Sequence, residues 1–321
     1  MREPAFRKQN LERWKALEEN FFSGKGNNPD SLAEQYIQLT DDLAYARTYY
    51  PNSKTVEYLN NLAARAHQNL YENKREKRGR FLSFFTEELP DVYYKRRKEL
   101  LISFLVFLGS ALIGVVSSQL DPEFVRVILG DSYVNMTLEN IDKEDPLAVY
   151  KSMDQGFMST YIGLNNIKVS LMCFAFGAFS ALGTIWILIQ NGVMLGAFQY
   201  FFYQEGLLLT SFLGIWIHGT IEISAIVVAG AAGIVFGNGF FFPGTFPRMH
   251  SLREGAKDGI KMVIGLVPLF VLAALLEGYV TRHYQYSPLL NAAIILFSAT
   301  LVIFLFVYYP YYRNKYLKIH E

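Results

Sequence analysis

The sequence predicts an all-α, polytopic helical membrane protein of about six spans, one pair of them short or re-entrant, behind an N-terminal three-helix domain. Three observations predict it. Of 321 residues, 51% are hydrophobic and 16% aromatic, a balance seldom met in a soluble domain. Beyond residue 98 the apolar residues gather into runs of about 20, the length that crosses a bilayer. Before it, apolar residues recur at helical spacing between polar ones, as in a small bundle with one buried face.

Charge supports the same division. The net charge is +1, so no global attraction to nucleic acid is expected. The single cysteine, Cys173, lies in an apolar run and excludes an intrachain disulfide. The opening MREPAFRKQNLERWKALEE is charged throughout and lacks the apolar core of a signal peptide, so the first span is expected to direct insertion.

Residues 1–98 are read as a cytoplasmic helical domain with a basic juxtamembrane segment. A first helix carries Phe6, Leu11, Trp14, Leu17, Phe21 and Phe22. SGKGNNPD breaks it. Asp30 or Ser31, with Glu34 in capping-box position relative to Ser31, opens a second helix that Pro51 ends. A third starts near Ser53 and carries Val56, Leu59, Leu62, Ala66 and Leu70. His67 reads as a surface or half-buried histidine. Two basic clusters follow: Lys74, Arg75, Lys77 and Arg78, then Lys95, Arg96, Arg97 and Lys98. Beside a membrane segment such clusters favour the cytoplasmic face and contact with anionic headgroups. Phe81, Leu82, Phe84 and Phe85 between them suggest an interfacial helix.

The transmembrane domain is placed at 99–310, with spans near 99–119, 167–189, 190–204, 221–237, 260–280 and 289–309, and a basic cytoplasmic tail at 311–321. Segment 120–166 holds eight acidic residues against Arg126, Lys143 and Lys151, which suits an outer loop; its end, YKSMDQGFMSTYIGLNN, suggests a short helix lying on the membrane. Section 190–237 admits two readings. One span near 207–236 gives five in all and places Arg313, Lys315 and Lys318 outside. Two short spans give six and place both termini and the basic 238–261 loop inside, which the positive-inside rule favours. Residues 206–219 then dip into the outer leaflet as a re-entrant or interfacial piece, tolerated only where protein buries them or they line water. Pro268 is expected to kink its span, and Tyr308, Tyr309, Tyr311 and Tyr312 to form an aromatic belt.

The stretch Gly214–Gly237, GIWIHGTIEISAIVVAGAAGIVFG, concentrates the unusual residues. His218 and Glu222 lie four apart and share a helix face. Ionisable groups at membrane depth are costly and usually face a bundle interior. With Glu277 and Asn191 they make up an expected intramembrane polar cluster. Its chemistry has three readings: interhelical hydrogen bonding that fixes packing, a proton relay, or metal ligation. Zinc takes three or four ligands. Beyond His218 and Glu222 only Glu277 and His283 lie on the same expected side, and HGTIE lacks the second histidine of HExxH. No metal and no cofactor is therefore expected. Gly192 and Gly196 form GxxxG; Gly219, Ala225, Ala229, Gly230, Gly233 and Gly237 add small residues for close helix approach. Such stripes serve packing within one chain or a homo-oligomer. No Walker motif, nucleophile elbow, Cys/His cluster or dinucleotide fingerprint occurs, so no enzyme is expected.

Asn191-Gly192, HGTIE followed by AGAAG, and VPLFVLAALLEGYVT resemble the stage II sporulation protein M family of bacterial membrane proteins. DDLAYARTYYP and YLNNLAARAHQ resemble the N-terminal domain of its long form. The resemblance implies an integral inner-membrane protein. It carries over onto Asn191, Gly192, His218, Gly219, Glu222, Gly230, Gly233 and Glu277. In spore-formers the named member resembles a scaffold that gathers cell-wall hydrolases at the septal membrane. The expected role is thus a scaffold in the bilayer that recruits other membrane or envelope proteins and binds no nucleic acid. The alternative is a permease subunit working with a separate ATPase, since broken helices and buried carboxylates suit a translocation path.

Overall fold

A computed structural model of the chain describes residues 1–22, 29–72, 79–151 and 155–317. It divides into two compact units, Met1–Arg80 and Phe81–Glu321. The described residues are helical, with no strand among them.

The first unit holds α1 (Glu3–Phe22), α2 (Pro29–Tyr49) and α3 (Lys54–Glu72). Phe6, Trp14, Leu17, Leu39, Leu43, Leu59 and Leu62 form its core. The one polar atom of Trp14 is satisfied: its Nε1 donates to Asp42 at 2.8 Å, and Arg13 pairs with the same carboxylate. Ser53 caps α3, its hydroxyl accepting from the amides of Thr55 and Val56. His67 is exposed beside Tyr36. The side chains of Asp30 and Ser31, and those of Lys74, Arg75, Lys77 and Arg78, fall outside the described residues.

The boundary falls at the first residue of α4 (Arg80–Ser83), and the second unit continues with a π-helical turn at Phe84–Glu88 and α5 (Leu89–Lys95). Leu89, Val92 and Tyr93 are buried in the core of this unit, so the division falls at residue 80 instead of 98. Phe81 and Leu82 stay exposed.

Six long helices follow: α6 (Arg97–Leu120), α9 (Gln155–Phe176), α10 (Ala181–Gln204), α11 (Leu208–Phe241), α12 (Arg248–Leu275) and α13 (Pro288–Ile303). Between α6 and α9 lie α7 (Phe124–Leu129), α8 (Asp131–Asp142) and a 3₁₀ turn, Ala148–Lys151. A short α14 (Tyr309–Tyr312) sits between two π-helical turns that extend α13 to Leu317. Among the described residues, five helical stretches are long and apolar enough to cross a membrane, beginning at Arg97, Ala181, Leu208, Arg248 and Pro288. Their outer faces are apolar: Leu101, Phe104, Leu105, Leu108 and Leu112 are exposed on α6, and Leu289, Leu296 and Phe297 on α13. A surface of that kind is stable against lipid and costly in water. α9 is less apolar, carrying Asn165, Asn166 and Lys168.

Close approaches fix the chain direction. Gly192 meets Phe107 and Gly196 meets Ala111, so α6 and α10 run parallel. Gly230 meets Leu188 and Gly237 meets Ala181, so α11 runs back against α10. Gly177 lies on Gly233, and Asn166 is bonded to Glu222, so α9 runs parallel to α11. Gly255 meets Val235 and Gly259 meets Ala232, so α12 is antiparallel to α11. Six helices therefore alternate between two faces. The α7–α8 segment lies at one, the loop face. Residues 81–97, 242–247 and 309–317 lie at the other, the tail face.

Two expectations about the helices change. Residues 206–219 do not form a separate elbow, because α11 is one helix of 34 residues. The even number of long helices comes from a break elsewhere: the run expected at 167–189 ends at Phe176 and restarts at Ala181. Ser180 caps the new start, its Oγ accepting from Leu182 N at 3.1 Å. Of the segment expected as a short surface helix, residues 155–166 are instead the first half of α9. Likewise, the basic 238–261 loop shrinks to 242–247, since α12 begins directly after Pro247. Pro268 lies inside α12, which continues through it.

Candidate functional site

α11 is buried along most of its length and touches α6, α9, α10, α12 and α13. Such enclosure requires small side chains. A Cβ on Gly233 would collide with the Cys173 carbonyl and the Thr184 side chain, and one on Gly230 would lie 2.6 Å from Leu188 and from Ser103 Oγ. Gly192, Gly196 and Gly237 are equally confined, while Ala225 and Ala229 are fully buried. Where backbones approach this closely, hydroxyls reach across: Ser103 donates to Val227 O at 2.6 Å and Thr184 to Cys173 O at 2.8 Å. Gly219 is the exception among the expected packing glycines. A Cβ there would make only ordinary contacts, at 3.8 Å and beyond, because it turns away from the crowded interfaces.

His218 stands ten residues into α11, about 15 Å from its loop-face end at 1.5 Å per residue. Glu222 is one turn deeper. Glu277 comes from a π-helical turn, Leu276–Val280, that continues α12. The wider turn presents Glu277 and Thr281 to the same neighbour, and π-turns recur at functional sites. One ligating atom from each of His218, Glu222 and Glu277 lies within 4.8 Å of the others. His218 Nδ1 is 2.9 Å from Thr281 Oγ1, and Nε2 is 3.6 Å from Glu277 Oε1. From α9, Asn166 Nδ2 donates to Glu222 Oε1. Glu277 Oε2 is buried without a partner. Among the described residues no lysine or arginine pairs with either carboxylate.

The loop face covers this cluster. Leu147 packs on Gly214, and the Tyr150 ring meets His218 edge-on at 5.6 Å. Tyr284 and Gln285 hold the cover through Asp145, which also pairs with Lys151 at 2.7 Å. A cleft of about 600 Å³ opens nearby between Glu144, Leu213 and Asn291, but none of the three clustered residues lines it.

The sequence expectation thus finds three of its four polar residues together. Asn191 is elsewhere, its amide donating to Ile187 O of its own helix at 2.8 Å. Asn166 takes its place. The residue stands in the visible apolar stretch YIGLNN but just before the expected span start at 167. Thr281 and Tyr150 carried no signal in sequence. His283 is exposed and bonds the Tyr279 carbonyl, outside the cluster.

The second charged group lies at the tail face. Asp258 of α12 is buried, and accepts from Arg96 Nε and Nη2 at 2.9 and 2.6 Å and from Lys95 Nζ at 2.8 Å. Lys261 pairs with Glu88, and Asp91 with Arg313 and Asn314. Lys95 and Arg96, expected at headgroups, are therefore bonded within the protein. Arg97 lies over the Tyr94 ring at 4.5 Å.

Comparison with known proteins places these features. A family described as a domain of unknown function (DUF8413) matches residues 4–72, nearly all of the first unit. An uncharacterized protein of Methanocaldococcus jannaschii is 27% identical over 121 residues, 36% of this chain and 52% of that protein. The chain thus spans about half the length of that curated relative. No solved structure matches. Residues 103–282, more than half of the chain and including His218, Glu222 and Glu277, match the family described as stage II sporulation protein M, and the chain belongs to that family of membrane proteins.

Proposed function

We propose that the protein is a scaffold of the bacterial inner membrane that recruits partner proteins, with cell-envelope or peptidoglycan-remodelling enzymes as the partner class. Both termini and the basic tail-face segments lie in the cytoplasm, and the α7–α8 segment lies outside. The observation that carries this reading is the pairing of two separate units. A three-helix domain with a complete core of its own precedes a bundle locked at glycine contacts. A domain with a hydrophobic core of its own suits a docking module. The acidic segment between α6 and α9 supplies a second partner surface, and its charge suits the outer side.

Photo-crosslinking in native membranes tests it. Ile37 and Tyr49 are exposed apolar positions on α2 of the first unit. Crosslinkers there should capture discrete partner proteins from the full-length chain. Adducts identical to those of a non-irradiated sample would contradict recruitment by this domain. Orientation is tested separately with Tyr316→Cys, an exposed site, since native Cys173 is buried. Labelling of that cysteine by an impermeant reagent from outside would overturn the proposed topology.

The buried carboxylates favour a second reading, a permease subunit with a separate ATPase. That reading requires Glu222→Gln and Glu277→Gln to abolish a flux measured in reconstituted vesicles. Unchanged flux in both variants excludes their role in transport.

A further inference from the structure

We infer that His218, Glu222 and Glu277 form a binding site for a divalent transition-metal cation of the zinc type, oriented by Thr281 and Asn166. Geometry carries the inference. His218 binds Thr281 through Nδ1 at 2.9 Å, which leaves Nε2 directed at Glu277 Oε1 across 3.6 Å. That separation is too long for a hydrogen bond in either tautomer. With Nδ1–H donated to Thr281, two electron-rich atoms face each other over a gap that a cation fills. A metal-ligating histidine almost always gives its other ring N–H to an oxygen in this way.

Two further groups point into the same gap. Glu277 is buried, 4% exposed, and its Oε2 has no partner. Native proteins seldom leave a buried polar atom unpaired, so the orphan needs an explanation. Glu222 is held by Asn166 in the manner of a ligating carboxylate supported by a second residue. The three ligating atoms come from facing helices and lie within 4.8 Å of one another. The ~2 Å bonds of zinc require these atoms to close in further around the ion.

Charge balance selects the ligand class. Two carboxylates without a basic partner among the described residues are expensive inside a bundle. One divalent cation neutralises both. Magnesium and calcium prefer all-oxygen sites, whereas an imidazole nitrogen with two carboxylate oxygens suits zinc, manganese or iron. Three protein ligands leave one position open, toward the cover that Tyr150 and Leu147 place over the site.

The test uses untagged full-length protein in detergent, stripped with a chelator and dialysed against Zn²⁺ or Co²⁺. The expected result is about one equivalent per chain, with visible bands from the Co²⁺ form indicating low coordination number. Glu222→Gln combined with Glu277→Gln should reduce binding at least tenfold. Glu88→Gln, at the opposite face, should bind like wild type. Should the double variant misfold, Thr281→Val and Asn166→Ala decide the matter, since neither removes a ligand. Each is expected to weaken affinity roughly 10–100-fold. Wild type retaining less than about a tenth of an equivalent would overturn the inference, and protons would then neutralise the carboxylates. Affinity unchanged in Thr281→Val and Asn166→Ala, or in the double variant, would also overturn it.

Discussion

The two faces of the bundle treat buried charge in opposite ways. At the tail face Asp258 is met by two basic side chains in three contacts of 2.6 to 2.9 Å. At the loop face Glu222 and Glu277 sit beside a histidine with no basic partner among the described residues, and one carboxylate oxygen is unpaired. The same two helices, α11 and α12, frame both faces, so the difference is not one of fold. A completed ion cluster stabilises what surrounds it. An incomplete one at comparable burial persists only if something beyond stability maintains it. Tail-face charge therefore reads as structure, and loop-face charge as function.

Substitutions at the two faces should differ in size and sign. The largest effect is expected where both faces share their support. Gly233→Val would drive a branched side chain into α9 and α10 together, at a cost of about 3 kcal/mol or more. Loss of monodisperse protein in detergent would register it. Next is Asp258→Asn. It removes the main partner of Lys95 and leaves Arg96 with Glu99 at 3.8 Å, and since both are partly exposed a loss of about 1–3 kcal/mol is expected. A lowered thermal midpoint with retained helicity reports it. Glu277→Gln should behave differently: in metal-free buffer, removing an unanswered charge leaves stability unchanged or raises it by up to about 2 kcal/mol. Smallest is Gly219→Ala. Space is available there, and the higher helix propensity of alanine should add about 0.5–1 kcal/mol. A clear loss in that variant would show that Gly219 is confined after all.

Much of this arrangement is legible in the sequence, for physical reasons. His218 and Glu222 stand out because ionisable residues are rare in apolar runs, and Glu277 stands out for the same reason near the end of its own. The glycine stripe of α11 announces close packing. Other features leave no trace at that level. Hydropathy does not fall across Phe176–Ala181, so the break between α9 and α10 is hidden in an apolar stretch. The charge rule counts crossings but does not locate them, so α11 reads as interrupted. Asn166 falls one residue outside the span that hydropathy marks. Asn191 and Gly219 have the right composition and the wrong azimuth, which depends on neighbours that pattern cannot name. Asp258 and Arg96 looked like ordinary members of basic segments. Only their 162-residue contact shows them as a pair.

The two charged clusters differ in kind, and paired unfolding measurements on full-length protein separate them. Thermal midpoints of Asp258→Asn and Glu277→Gln are compared with wild type in the same chelator-treated detergent. A clear fall is expected for Asp258→Asn and no fall, or a rise, for Glu277→Gln. Equal falls in both would show that the loop-face carboxylate is a satisfied structural group, and would contradict that difference.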